Sequence, residues 1–209
     1  MPKRNSIKQY GENQFYHVYN RGANKQNIFI DQHDYFYFLS LFKRHLATNG
    51  SVTDTYGRTP ANYHEEVELI AYCLMPNHYH LLCFLKDPEG LIHLMRSVMT
   101  AYTMYFNKKY KRTGGLYEGV FLAVPIRTEM YLWHVSRYIH LNPLDIKQDF
   151  LHYPHSSLEY FAGTKHADWL NEERLVQTPK ERTEYAEFVA DYETMHKDRK
   201  FLKPLLAAE

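Results

Sequence analysis

Two apolar runs separated by only two residues place the strongest constraint on how this chain folds. The first run, VELIAYCLM, ends at Met75, and the second, HYHLLCFL, begins at His78, with Pro76 and Asn77 between them. Runs of this length and composition predict buried β-strands. A two-residue connection leaves the strands no room to cross over, so they must pair antiparallel as a hairpin.

The register of this hairpin places Cys73 opposite His80 and not opposite the second cysteine of the chain, Cys83. We therefore expect two reduced thiols, as in a reducing compartment. No stretch approaches the roughly 20 apolar residues that a membrane span needs. The basic start of the chain is not followed by an apolar segment. The sequence therefore predicts a soluble, cytoplasmic protein.

Five further segments have the periodicity of regular structure. Alternating residues predict strands at residues 14–22 and 120–127, and helical spacing predicts helices beginning near Asp31, Gly90 and Glu129. The resulting order is strand, helix, strand, strand, helix, strand, helix. The first six elements match the ferredoxin-like split βαβ arrangement, an α+β fold with two helices on one face of an antiparallel sheet. The third helix is then the natural cover for the other face.

Two segments lie outside this plan. Residues 48–66 are polar and aperiodic, which predicts a loop. Beyond residue 163 the chain is acidic and contains one predicted helix within KERTEYAEFVADYETMHKD. Its role could be to pack on the core, to bind a partner or to regulate access.

Histidines at two alternate positions of the second hairpin strand suggest a metal site. Side chains alternate between the faces of a strand, so His78 and His80 emerge on one side, about 6 to 7 Å apart along it. Two neutral imidazoles are half of a metal site. Hydrogen-bonded core or edge histidines would give the same pattern, so a third ligand is required.

The third helix offers that ligand. Tyr138 and Asn142 are four residues apart and project from one helical face. If this face packs on the strand that carries the histidines, His78, His80 and Asn142 can bind a metal with the Tyr138 hydroxyl alongside. Such a mixed nitrogen and oxygen set suits Mg²⁺ or Mn²⁺ acting on a phosphate better than a structural Zn²⁺. Tyr138 could equally be an ordinary packing residue.

Charge is distributed unevenly along the chain. The net charge is +1 overall, but the balance of basic over acidic residues is 0 over residues 1–93, +5 over residues 94–148 and −4 over residues 149–209. A basic middle interleaved with aromatic residues could hold phosphates while the rings stack on bases. Part of this positive charge is explained equally well by the favourable placement of cations near a helix C-terminus. The candidate DNA contacts in this region are Arg96, Lys108, Lys109, Lys111, Arg112 and Arg127.

Several stretches together resemble one known family. MPNHYHLL resembles the HUH motif (His, bulky apolar residue, His) of single-tyrosine transposases, and SRYIHLNP resembles the segment that carries their nucleophile. YHVYNRG, TAYTMYFNKKYKRTGGLYEG and YPHSSLEYF resemble the subgroup associated with repetitive extragenic palindromes (REP). The resemblance covers about residues 13–163. It makes residues 1–163 the transposase domain and residues 164–209 a C-terminal extension.

The resemblance also assigns roles. His78 and His80 match the metal-binding histidines, Asn142 the amide that completes the metal site, and Tyr138 the nucleophile. It adds Asn20 and Arg21 as DNA contacts, whereas Val120 stands where a basic residue is expected. The family chemistry is cleavage and rejoining of single-stranded DNA at hairpin sites, with a divalent metal and a 5′-phosphotyrosine intermediate.

Three alternatives remain open at this point. The chain could be a catalytically inactive, hairpin-binding regulator of the same fold, or a metal-dependent nuclease that activates water while Tyr138 only packs. Tyr131, about 10 Å along the helix axis from Tyr138, is a less favoured nucleophile. The protein could act as a monomer or as a homodimer, and the resemblance implies association with the bacterial nucleoid.

Overall fold

A four-stranded antiparallel sheet forms the centre of the molecule. The computed structural model describes residues 10–48 and 59–191. The strands lie in the order β2-β3-β1-β4, so the first strand is central and pairs with both β3 and β4. The strands are β1 (Gln14–Arg21), β2 (Val67–Met75), β3 (His78–Leu85) and β4 (Leu122–Ile126).

The hairpin of β2 and β3 has the predicted register. Met75 pairs with His78 across the two-residue turn, and Cys73 pairs with His80. Cys73 and Cys83 are both buried free thiols, as expected from that register. The predicted strand at residues 120–127 is shorter in the structure, because regular pairing with β1 extends only over Phe15 to Tyr19.

Short polar side chains cap α1 (Gln32–Leu46), α3 (Glu129–Leu141) and α5 (Pro179–Ala190). α1 starts after Asp31, whose carboxylate accepts a hydrogen bond from the Asp34 N–H, and the Asp34 carboxylate accepts one from the Asp31 N–H, which forms a capping box. α3 starts after Thr128, whose hydroxyl accepts from the Tyr131 N–H. The helices of the described residues are α1 (Gln32–Leu46), α2 (Gly90–Lys109), α3 (Glu129–Leu141), α4 (Leu158–Phe161) and α5 (Pro179–Ala190).

The sheet separates two hydrophobic cores. On one face α1 and α2 pack on side chains such as Tyr79 and Leu81. On the other face α3 packs on side chains such as Leu82 and Phe84. This arrangement confirms the predicted α+β fold, with two helices on one face and the third helix on the other. Among the described residues, no helix is both long and apolar enough to span a membrane.

The C-terminal extension adds to the second core. α5 buries Tyr185 and Val189 in the same cluster as α3. Upstream of α5, the Asn171 N–H donates to the backbone oxygen of Leu69 over 2.8 Å, and Arg174 forms an ion pair with Glu68. Of the helix predicted within residues 180–198, the part from residue 192 onward lies outside the described residues. The same is true of residues 49–58 of the predicted loop, and residues 59–66 form neither helix nor strand.

Candidate active site

Three histidines lie together on the sheet face that α3 covers. His78 and His80 project from β3, and their ring centroids are 5.0 Å apart. His80 is almost completely buried, whereas His78 at the start of the strand is partly exposed. His17 on β1 lies beside them, with its Nε2 atom 2.9 Å from Nδ1 of His80. The Nδ1 atom of His78 is 2.6 Å from Oδ1 of the turn residue Asn77.

α3 brings Tyr138 to this cluster. The Tyr138 ring stands edge-on to the His80 ring, with centroids 5.3 Å apart and planes at 81°. It also stands edge-on to His17, at 6.0 Å and 78°. The helix takes this position because its apolar residues, including Val135 and Ile139, pack on the sheet. Tyr138 and the two predicted histidines are therefore neighbours in the folded chain.

Asn142 lies at the point where α3 gives way to a short 3₁₀ helix, Asn142–Ile146. Pro143 follows it, and a proline lacks the N–H that would continue α-helical hydrogen bonding. The Asn142 Nδ2 group donates to the backbone oxygen of Tyr138 over 2.8 Å. Its carboxamide oxygen is therefore the atom left to face the site, and the Asn142 side chain lies close enough to His78 to affect the pKa of that imidazole.

The electrostatics keep the histidines neutral. Burial lowers the pKa of His78, although the Asn142 side chain and the nearby carboxylate of Asp145 act in the opposite direction. Burial, with smaller contributions from His78 and His17, holds the pKa of His80 well below its ordinary value. Burial also lowers the pKa of His17 to about 3. Neutral imidazole is the form that binds metals.

These side chains fit an open divalent-metal site. Within residues 10–48 and 59–191, no three histidine, cysteine, aspartate or glutamate side chains are arranged to hold a metal. His78 and His80 offer two imidazole nitrogens, and Asn142 adds a carboxamide oxygen. Such a set leaves coordination positions for a phosphate, which is what a metal that acts on DNA requires.

Three other tyrosines differ in how close they lie to the histidines. Tyr102 lies in the opposite core and donates its hydroxyl hydrogen to the Ile28 oxygen. Tyr131 is on α3, and burial raises its pKa to about 12. Tyr19 was not singled out in the sequence, yet its ring lies 5.9 Å from that of His80. Tyr19 and Tyr131 are therefore the controls against which Tyr138 must be compared.

Asn20 and Arg21 end β1 beside the cluster. Arg21 pairs with His78 in the sheet register. The Arg21 guanidinium forms an ion pair with Glu118 at 2.9 Å. The Asn20 Nδ2 group donates to the Gly119 oxygen over 3.0 Å. Both residues thus join the end of β1 to the segment that follows α2.

The basic residues of the middle segment have different surroundings. Lys109 lies 2.7 Å from carboxylate oxygens of both Asp31 and Asp34, which ties the end of α2 to the start of α1. The Arg112 guanidinium donates to Asn107 and lies 5.5 Å from the Phe106 ring centroid. The remaining candidates are exposed; they are Arg96, Lys108, Lys111 and Arg127.

The end of α2 lies on the sheet face opposite Tyr138, but the chain after it returns to the active-site end of β1. The Ala23 N–H donates to the Leu116 oxygen and the Glu118 N–H to the Arg21 oxygen, both over 2.9 Å. The segment between α2 and β4 therefore joins the end of α2 to the active-site end of β1.

Two residues of the site were missed in the sequence. His17 alternates with Tyr19 on one face of β1, but that face could be assigned to the α3 side only once the neighbouring strands of β1 are known. Asp145 could not be assigned, because its position three residues after Asn142 becomes meaningful only once the 3₁₀ helix is known.

Comparisons with known proteins agree with this architecture. The family model for IS200-like transposases matches residues 13–142. A REP-associated tyrosine transposase, solved bound to a REP hairpin, superposes with a TM-score of 0.56 at 14% identity, covering 79% of this chain and 90% of that one. A protein from Deinococcus radiodurans R1 that is named as a transposase gives a TM-score of 0.38 at 14% identity, covering 65% of this chain and 92% of its own. None of the curated proteins matches significantly.

The fold and the family match define a DNA-processing enzyme of the transposase class. The matched segment contains β1 to β4 and ends at Asn142, so it includes His78, His80 and Tyr138. The chain belongs to the IS200-like transposase family, and its fold resembles that of the REP-associated tyrosine transposases.

Proposed function

We propose that this transposase cleaves and rejoins single-stranded DNA at hairpin-containing sites through a covalent bond to Tyr138. The observation that carries the proposal is the position of the Tyr138 ring 5.3 Å from the His80 ring, on a helix whose last turn also brings Asn142 to His78. A phenol beside a potential metal site is the arrangement that tyrosine-based phosphoryl transfer requires.

Tyr138 acts as the nucleophile in this proposal. Its Oη atom attacks phosphorus, and the phenolic proton leaves to solvent. The bond between phosphorus and the 3′-oxygen of the preceding nucleotide breaks, which yields a 5′-phosphotyrosine and a free 3′-hydroxyl. Attack of a 3′-hydroxyl on the phosphotyrosine reverses the reaction and rejoins DNA, with the phosphodiester energy retained in the intermediate.

His78, His80 and Asn142 would hold a divalent metal through Nε2 of each imidazole and through Oδ1 of the amide. The Nε2 atoms are assigned because each Nδ1 already faces a protein partner, Asn77 or His17. Mg²⁺ or Mn²⁺ held there would polarise the scissile phosphate and offset the charge that develops on it. Burial keeps the imidazoles unprotonated, so they are ready to bind without first losing a proton.

A folded hairpin is the substrate class that the resemblance favours. The structurally similar protein is bound to a REP hairpin, and here the chain between α2 and β4 joins exposed cations to the active-site end of β1. Asn20, Arg21, Lys108, Lys111, Arg112, Arg96 and Arg127 are the proposed phosphate contacts. Lys109 is left out of this set because it neutralises two carboxylates, one of them fully buried, whereas Arg21 pairs with the single, exposed carboxylate of Glu118.

The test uses single-stranded DNA that carries a hairpin, in one case labelled at the 3′ end and in another at the 5′ end. Incubation with Mg²⁺ or Mn²⁺ is followed by denaturing electrophoresis. We expect a protein-sized 3′-labelled band and a shortened, free 5′-labelled strand. Tyr138→Phe should abolish both products while its melting temperature stays close to that of the wild type.

Tyr19→Phe and Tyr131→Phe are the matched controls, since each removes one hydroxyl close to the site or on the same helix. Both should retain the covalent band. Cleavage that survives in Tyr138→Phe would identify a nuclease that uses water, and hairpin binding by the wild type with no cleavage in either metal would identify a regulator. Each of these results overturns the proposal.

A further inference from the structure

A third histidine is buried beside the proposed metal ligands. His17 lies on the central strand β1 and is only 1% exposed. Its Nε2 atom is 2.9 Å from Nδ1 of His80, and the two rings are stacked with centroids 5.0 Å apart and planes at 22°. His17 also stacks on Tyr19, with centroids 4.9 Å apart. These contacts fix both the position and the plane of the imidazole.

A polar ring in this position needs an explanation. The surrounding core of α3 and the sheet is otherwise largely apolar, and a buried polar atom costs about 1–3 kcal/mol unless it is hydrogen-bonded. Leu or Phe would fill the same position on the strand without that requirement. The His17 side chain directs a hydrogen bond at His80. The contact therefore points to a role that concerns His80.

The proton in this hydrogen bond determines which tautomer His80 adopts. Two neutral imidazoles each carry one proton, and only one proton can lie between Nε2 of His17 and Nδ1 of His80. If Nδ1 of His80 donates, Nε2 of His80 has a lone pair and can bind a cation. In the opposite tautomer the proton sits on Nε2 of His80, and that atom can no longer be a ligand.

We propose that His17 is a positioning residue that accepts the Nδ1 proton of His80 and so presents the Nε2 lone pair of His80 to a divalent cation. This inference rests on the proposed function, in which His80 is a metal ligand. Hydrogen bonds from the second nitrogen of a metal-binding histidine orient the ring and increase its basicity. Here the acceptor is a second imidazole, held in place by Tyr19 and by the edge of Tyr138.

Two substitutions separate this role from simple packing. His17→Gln places an amide oxygen near the position of Nε2 and can still accept the hydrogen bond. His17→Leu fills similar space and cannot accept it. We expect His17→Leu to weaken Mn²⁺ binding to the complete chain about 10- to 100-fold, whereas His17→Gln stays close to wild type. Mn²⁺ titration followed by electron paramagnetic resonance measures this without DNA or turnover.

A second measurement requires no metal. Nitrogen-15 NMR of the metal-free chain, with His80 assigned by comparison with His80→Gln, reports which ring nitrogen is protonated. We expect the Nδ1–H tautomer in the wild type and in His17→Gln. An Nε2–H tautomer in the wild type, or equal Mn²⁺ affinity for the Leu and Gln variants, overturns the proposal. If His17→Leu does not fold, the tautomer of His80 in the wild type alone still tests whether His17 accepts the Nδ1 proton.

The outcomes also separate this inference from the proposed function. Loss of Mn²⁺ affinity in His17→Leu, combined with no covalent DNA adduct in the wild type, would support the positioning role and reject the tyrosine chemistry. A covalent adduct that depends on Tyr138, combined with unchanged Mn²⁺ affinity in His17→Leu, would support the tyrosine chemistry and reject the positioning role of His17.

Discussion

At the scale of single residues, several histidines of this protein are uncharged because they are buried. His155 is 5% exposed, and its ring stacks on Tyr35 with centroids 3.6 Å apart and planes at 6°. Burial lowers the pKa of His155 to about 4. His140 is completely buried, and burial lowers its pKa to about 3. The folded state thus resists protonation at sites that an unfolded chain would protonate near pH 6.5.

This difference predicts a loss of stability in acid. The unfolded chain binds a proton at His155 as the pH falls below 6.5, but the folded chain does not until about pH 4. Folding is therefore most favoured above pH 6.5, and one such group reduces the free energy of unfolding by up to about 1.4 kcal/mol per pH unit within that window. Urea unfolding at pH 7.5, 6.5, 5.5 and 4.5 measures the effect.

His155→Phe tests the contribution of this residue, because the variant keeps an aromatic ring against Tyr35 and removes the titration. Its stability should fall less steeply than that of the wild type between pH 6.5 and pH 4.5. Parallel curves for the two proteins would contradict the assignment. The active site is not touched, since His155 stacks on Tyr35 in the other core.

At the scale of elements, the two lysines that flank the end of α2 differ in what they do. Lys109 lies 2.7 Å from Asp34, whose side chain is fully buried on α1. Lys111, which follows the helix with a left-handed backbone (φ 52°), is exposed. The first is a structural cation between α1 and α2, and the second is available to a phosphate.

Lys111→Ala and Lys109→Met should therefore separate binding from folding. Lys111→Ala should weaken hairpin binding and reduce the slope of log affinity against log salt by about 1, at an unchanged melting temperature. Lys109→Met should destabilise the fold by about 3 kcal/mol, because it leaves the buried Asp34 carboxylate without its cation. Fluorescence anisotropy across salt concentrations and thermal unfolding measure the two effects. The opposite pattern would show that Lys109 is the DNA contact.

The contacts between helices and strands show which parts of the structure the sequence predicts. The hairpin register was predictable because a two-residue turn allows one pairing. The position of α3 was predictable because a sheet with one free apolar face must be covered. The ion pair of Lys109 was not predictable, since Asp31 and Asp34 are more than 70 residues away along the chain. His17 was missed for a related reason: a single alternating histidine has no meaning until its neighbouring strand is known.

At the scale of the whole molecule, the C-terminal extension helps to hold α3 on the sheet of the same chain. His140 lies in the last turn of α3, and its Nδ1 atom is 2.7 Å from the Tyr185 hydroxyl on α5. Its Nε2 atom is 2.8 Å from Oγ of Ser157, which in turn accepts from the Tyr72 N–H on β2 over 2.8 Å. One buried network therefore joins α5, α3 and the sheet. A helix held in this way has its tyrosine beside the histidines of the same chain.

This arrangement predicts that each chain carries a complete active site. We expect that mixing Tyr138→Phe with His80→Ala, each unable to cleave alone, will not restore the covalent DNA adduct at any ratio. If the tyrosine of one chain instead served the metal site of a second, each heterodimer would have one intact site of two, and a 1:1 mixture with random pairing would recover about a quarter of the wild-type activity. Light scattering on the same samples should give the mass of a single 25.0 kDa chain. Recovery of the adduct in the mixture would show that α3 exchanges between chains despite the His140 network.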